Sequence, residues 1–138
     1  MSADRDSPIL FLLLGVAVLV TAVLHTSFVP EYFPDDPVRA APFLVVGWFT
    51  FAVAFYAMGR LFSGPGSLPN MRGADIGTAL FLVSVLAAGG LDALGFTPDA
   101  VLEAYVLPAI GIYVGLALLG WGVGKRTKAI NRMVESAE

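Results

Sequence analysis

The chain contains no cysteine and only one histidine among its 138 residues. Without cysteine it can form neither disulfides nor thiolate-ligated zinc or iron–sulfur sites. One histidine cannot provide the two axial imidazoles of a transmembrane bis-histidine haem. The net charge of −3 offers no basic surface for nucleic acid. We therefore expect no nucleic-acid partner and no resident metal or cofactor.

Charge of either sign is also scarce. Only 14% of the residues are charged and 57% are hydrophobic, whereas a soluble domain is typically about 25% charged. The charges are clustered, and they leave uncharged runs at 7–30, 40–59, 76–91 and 104–124. A helix needs about 20 apolar residues, and at least about 17, to cross roughly 30 Å of hydrocarbon. The runs at 7–30, 40–59 and 104–124 reach this length unaided. The run at 76–91 reaches it only if Asp75 or Asp92 lies within its helix.

These runs predict an all-α polytopic membrane protein. We expect a single membrane domain over residues 1–138, a bundle of four transmembrane helices arranged as two hairpins. The predicted helices span about 8–29, 41–61, 74–95 and 98–124 and precede a basic tail, 125–138. The first run is interpreted as a retained helix, because it is longer than a signal-peptide core and no A-x-A cleavage site follows it. Thr97-Pro98-Asp99 has the residue pattern of a helix start, which places the fourth helix directly after the third.

The distribution of basic residues predicts the orientation in a cell membrane. Lysine and arginine are enriched in cytoplasmic segments. Only Arg39 falls on one side of the predicted bundle. The other side holds Arg5, Arg60, Arg72, Lys125, Arg126, Lys128 and Arg132. Both termini are therefore expected in the cytoplasm, with the connections 30–40 and 96–97 outside.

Small residues indicate which helix faces pack together, because helices in a bilayer associate through close approach and polar contacts. The fourth run carries two glycine pairs spaced by four, and we interpret them as packing positions: Gly111, Gly115, Gly120 and Gly124. They could pack within the bundle or form a seam with a second copy. In the first run, Thr21 and His25 continue a small face that begins at Ala17.

One group of polar residues forms a candidate polar or ion site. His25, Asp92 and Glu103 occur at a similar depth near the outer ends of their helices, and Thr21 lies one turn below His25. An ionisable group at membrane depth is a functional hypothesis by default. The bland alternative is a hydrogen-bonded tie between His25 and an acid of the third helix or outer loop. A proton or cation relay, a divalent metal site and ligand binding remain open.

No catalytic motif is present, and the pattern favours a protein that is not an enzyme. The sequence best fits a small accessory or scaffolding subunit acting through helix–helix contacts, as a homo-oligomer or in a larger membrane complex. The alternative is a transporter or channel-like unit that handles protons or cations through His25, Asp92 and Glu103. Against it, about 24 Å of apolar helix separates Asp92 from Asp75, the nearest acid toward the inner side.

Overall fold

The computed structural model describes residues 2–64 and 68–138, with side chains from Ser7 onward. The described chain is 85% helical and contains no strand. The long helices are α1 (Ser2–Val23), α3 (Pro37–Phe62), α4 (Arg72–Ala93) and α5 (Val106–Ala137). A π-helical segment, Leu24–Phe28, joins α1 to the short helix α2 (Val29–Tyr32), and a 3₁₀ turn, Leu102–Tyr105, precedes α5.

Four helical segments in the described chain are long and apolar enough to cross a membrane. They are Ser7–Tyr32, Pro37–Phe62, Arg72–Ala93 and Leu102–Ala137. The expectation of an all-helical chain with four candidate membrane spans is thereby confirmed.

Helices α3 and α5 form the centre of the bundle, with α1 packed on α3 and α4 packed on α5. The central contact is made by glycines. A Cβ atom added to Gly59 would lie 2.5 Å from the Trp121 carbonyl oxygen. Added at Gly120 or Gly124, it would overlap the backbone carbonyl oxygens of α3. The two backbones therefore touch, which larger residues at these positions would prevent.

The contact between α4 and α5 is equally close. Gly77 and Gly115 face each other, and a Cβ on either would lie 2.6 Å from the carbonyl oxygen of the other. Gly111 lies against the buried Ser84 side chain. The four glycines singled out in the fourth run are thus all buried against α3 or α4 of the same chain.

The fourth long helix begins later than the sequence pattern suggested. Residues 98–100 form a turn in which the Ala100 and Val101 amides both donate to the Thr97 carbonyl, and α5 starts only at Val106. Pro108 gives the physical reason. In a helix that began at residue 98, its ring would clash with the carbonyl four residues earlier, whereas the first turn of a helix tolerates proline. Helix α5 continues through the basic tail to Ala137.

The connection between α3 and α4 is fastened to α5 by two basic side chains. Lys128 Nζ donates to the carbonyl oxygen of Ser63 at 2.6 Å, and Arg126 Nη1 donates to that of Pro69 at 2.9 Å. Residues 65–67 of this connection lie outside the described chain. Two cations of the tail, Arg126 and Lys128, are thus bonded to backbone carbonyls of the connection rather than left to solvent.

Candidate functional site: a histidine–tyrosine pair between α1 and α5

The helix that carries His25 changes its winding at that residue. Pro30 has no amide hydrogen, and its ring would collide with the Thr26 carbonyl in a regular α-helix. The chain accommodates this by widening into the π-helical segment Leu24–Phe28, where the Val29 amide donates to the Leu24 carbonyl five residues earlier. The helix then continues through Pro30 to Tyr32. Residue 29 is therefore not the end of the first span, and the widened turn sets the direction of the histidine.

The His25 ring lies in the bundle interior, over a glycine of α3. A Cβ atom at Gly47 would be 2.5 Å from His25 Cε1, so this glycine makes room for the ring. His25 Nδ1 lies 2.8 Å from the Thr21 carbonyl oxygen, and Nε2 lies 2.5 Å from the Tyr113 hydroxyl. The His25 and Tyr113 rings meet edge to face with centroids 5.5 Å apart. The side chain therefore links α1 to α5 across α3.

The partners of His25 determine its tautomer in the neutral state. A backbone carbonyl oxygen can only accept, so Nδ1 carries the hydrogen and donates to Thr21. Nε2 then has a free lone pair, and the Tyr113 hydroxyl donates to it. Both ring nitrogens are consequently used within the chain.

A pair of threonines lies one turn further into the bundle. The Thr21 hydroxyl donates to the Ala17 carbonyl at 2.7 Å and lies 2.7 Å from the Thr50 hydroxyl. When the Thr21 hydrogen goes to Ala17, the single hydrogen of Thr50 goes to Thr21, and the Gly47 carbonyl oxygen, 3.0 Å from the Thr50 hydroxyl, is its alternative acceptor. The contact between the two hydroxyls gives α1 a polar link to α3 in addition to the link that His25 makes to α5.

Tyr113 also forms the inner end of a cleft between α3, α4 and α5. The cleft encloses about 290 Å³ and is lined mainly by apolar side chains, among them Leu44, Val85, Ala88 and Pro108. Trp48 lines it beside Tyr113, and its indole N–H can only donate. The histidine–tyrosine pair therefore adjoins a space large enough for a small molecule.

The structure brings together only part of the predicted polar site. Thr21 and His25 are in contact, but Asp92 and Glu103 are both exposed. Within the described chain, no hydrogen bond or ion pair joins either carboxylate to His25. The Asp92 carbonyl accepts from the amide of Gly95, whose φ of +89° suits glycine, and its carboxylate acts electrostatically on Tyr105. The partner of His25 is thus a phenol of α5 and not an acid.

Three participants were not assigned to the site from the sequence: Tyr113, Trp48 and Thr50. Tyr113 carried a usable signal, because it is a hydroxyl inside an apolar run, flanked by the packing glycines Gly111 and Gly115. Among residues 7–64 and 68–138, no three His, Asp or Glu side chains are grouped so that they could hold a metal ion.

Comparison of the chain with protein-family models, with curated proteins and with solved structures found no match.

Proposed function

We propose that this chain is a small multi-pass membrane protein that serves as an accessory or scaffolding subunit, acting through helix contacts with other membrane chains. The observation that carries the proposal is an open face on α1 that contains the small residues Gly15 and Ala22. Leu12, Gly15, Leu19 and Ala22 repeat at intervals of three and four and are all exposed. A Cβ atom at Gly15 would meet nothing within 4 Å. In a bilayer, such a face favours association with another helix.

The glycines of α5 do not supply such a face. Gly120 and Gly124 are covered by α3, so they are not free for a partner. The exposed side chains of Leu12 and Leu19, 68% and 62% accessible, flank Gly15 on α1. Of the four candidate spans, the one that contains α1 is the least buried within the chain, so it has the most surface left for a second chain.

Two matched glycine variants test this role. Gly15→Leu closes the α1 face, and Gly89→Leu adds the same side chain at another helical glycine with nothing within 4 Å. The tagged protein is purified in mild detergent, and its mass and co-purifying proteins are identified. We expect a defined complex or oligomer that Gly15→Leu disrupts and Gly89→Leu preserves. A clean monomer from native membranes, or equal behaviour of the two variants, would contradict the proposal.

The membrane arrangement belongs to the same proposal. We infer two helical hairpins in a cell membrane, with both termini cytoplasmic and residues 33–36 and 94–101 outside. The seven-to-one distribution of basic residues supports this orientation. A membrane-impermeant thiol reagent should label a cysteine placed at Asp35 from outside and one placed at Ser136 only after the membrane is opened. The reverse pattern would overturn the orientation.

A second candidate function is proton handling, and the His25–Tyr113 hydrogen bond beside the cleft favours it. Tyr113 could pass its hydroxyl hydrogen to Nε2 while accepting another from the cleft. The path then stops, because Nδ1 faces an amide carbonyl, which does not relay protons onward. For this reason we place transport second. His25→Ala in liposomes should leave proton flux unchanged under the accessory role, whereas a loss of flux would favour transport.

A further inference from the structure

We propose that the cleft between α3, α4 and α5 is a binding site for a small, uncharged, membrane-soluble alcohol, whose hydroxyl donates to Tyr113. The site is independent of the accessory role proposed above, which uses α1. Its two components are a mainly apolar cleft and the Tyr113 phenol at the inner end of that cleft.

The cleft has the dimensions and lining of a site for a small apolar molecule. It runs along α5 from Tyr105 to Tyr113, about 12 Å at 1.5 Å per residue. Its volume of about 290 Å³ is at the lower limit of ligand pockets in proteins, about 300 Å³. The apolar walls, such as Leu44 and Val85, exclude a charged ligand because they offer it no compensating partner.

The hydrogen bonds at the inner end decide which polar group the ligand carries. The Tyr113 hydrogen is used on His25 Nε2. The phenol oxygen keeps its lone pairs, which can accept a hydrogen bond and cannot donate one. A hydroxyl on the ligand satisfies the phenol oxygen, whereas a ketone or ester presents a second acceptor and does not.

Position in the bilayer adds to this selectivity. Tyr113 lies seven residues into α5, or about 10 Å from its first residue. Few water molecules compete for the phenol at that depth, so a single hydrogen bond discriminates an alcohol from an alkane of equal length. One such bond corresponds to about a threefold to tenfold difference in affinity.

Trp48 provides a direct reporter, since the chain has only two tryptophans. In a Trp121→Phe variant in neutral-lipid nanodiscs, Trp48 fluorescence is titrated with a brominated long-chain alcohol and with the brominated alkane of the same length. We expect saturable quenching by the alcohol at a mole fraction about threefold to tenfold lower than for the alkane. Equal quenching by the two probes would overturn the proposal.

Two variants connect the preference to the cleft. Tyr113→Phe keeps the ring and removes the oxygen, so the alcohol should lose its advantage while alkane quenching stays the same. Ala88→Leu fills the cleft without touching the phenol, and it should weaken quenching by both probes. If Tyr113→Phe does not fold, the Ala88→Leu variant still tests whether quenching of Trp48 depends on the cleft. A Trp48→Phe variant, which reports from Trp121, should show no alcohol preference, and the same preference there would indicate general partitioning and refute the site.

Discussion

Near the end of the bundle where Phe62 completes α3, the helices touch through glycine and backbone atoms. Toward the other end, around His25, they are joined by side-chain hydrogen bonds and leave a cleft. The first region contains Gly59, Gly120 and Gly124, each against a carbonyl oxygen of the neighbouring helix. The second contains the imidazole–phenol pair and the two threonines. One chain thus uses both means of helix association that a bilayer permits.

The two regions differ in how much change they can absorb. A carbonyl oxygen pressed against a glycine belongs to a helix backbone and cannot move without displacing the helix. An imidazole ring over Gly47 can rotate, although it then loses its partners. We therefore expect the glycine-packed region to be rigid. Substitutions in the histidine region should cost less free energy of unfolding, because side chains there can rearrange. Function is also more easily placed in the second region, because close backbone packing leaves no space for a ligand.

The largest effect is expected from Gly124→Val in the glycine-packed region. The new side chain would overlap the Tyr56 carbonyl oxygen, and α3 and α5 would have to separate. We expect a loss of about 3 kcal/mol in the free energy of unfolding, measured by titration with a denaturing detergent in mixed micelles. Gly89→Val, at an open position, is the control and should change the stability by less than about 1 kcal/mol. Similar losses in both variants would mean that α3 and α5 are not in close contact at Gly124.

A smaller effect is expected from Gly47→Ala, which tests the histidine region. Its Cβ would lie 2.5 Å from His25 Cε1, so the ring must rotate away from Tyr113. We expect a loss of about 1–2 kcal/mol in the same unfolding titration. In a His25→Ala background the added methyl group has space, and the substitution should then cost almost nothing. A full cost in both backgrounds would show that some other neighbour opposes the methyl group.

Weaker still should be the energy of the imidazole–phenol hydrogen bond alone. A double-mutant cycle of His25→Ala and Tyr113→Phe isolates it, because each change removes the bond independently. We expect a coupling energy of about 0.6–1.7 kcal/mol, the range known for hydrogen bonds between transmembrane helices. The Thr50→Val variant, paired with Tyr113→Phe, serves as the comparison and should give additive effects, since Thr50 bonds to Thr21 and not to the phenol. Additive stability losses in the His25–Tyr113 cycle would show that this hydrogen bond does not couple α1 to α5.

Much of the fold follows from the sequence because the bilayer imposes a simple rule on length and charge. The four uncharged runs correspond to the four candidate spans. The helix boundaries were harder to predict, because a proline can mark the end or start of a helix or be accommodated within one. Pro30 was expected to close the first span, yet the chain widens into a π-helical turn and continues to Tyr32. Pro98 was expected to open the last span, whereas Pro108 occupies the first turn of α5.

The candidate site was less predictable, because depth along a helix does not determine which side chains meet. His25, Asp92 and Glu103 were grouped by depth, but the two acids are exposed near the connection between α4 and α5. The rotation of α5 that brings Tyr113 to His25 is set by its glycine contacts with α3 and α4. Those contacts are relations between helices, and no single helix pattern contains them.

The smallest effect in this comparison is expected where the glycine-packed region meets the connection between α3 and α4. Lys128→Met keeps the length of the side chain but removes the ammonium that donates to the Ser63 carbonyl. We expect a loss of about 0.5–1 kcal/mol in the unfolding titration, and faster proteolysis of the connection. Lys125→Met removes an equal charge from the same helix without touching Ser63. Because a general effect of charge would act on both variants, equal losses would contradict a specific role for the hydrogen bond, whereas a loss confined to Lys128→Met identifies the tie that holds the connection to α5.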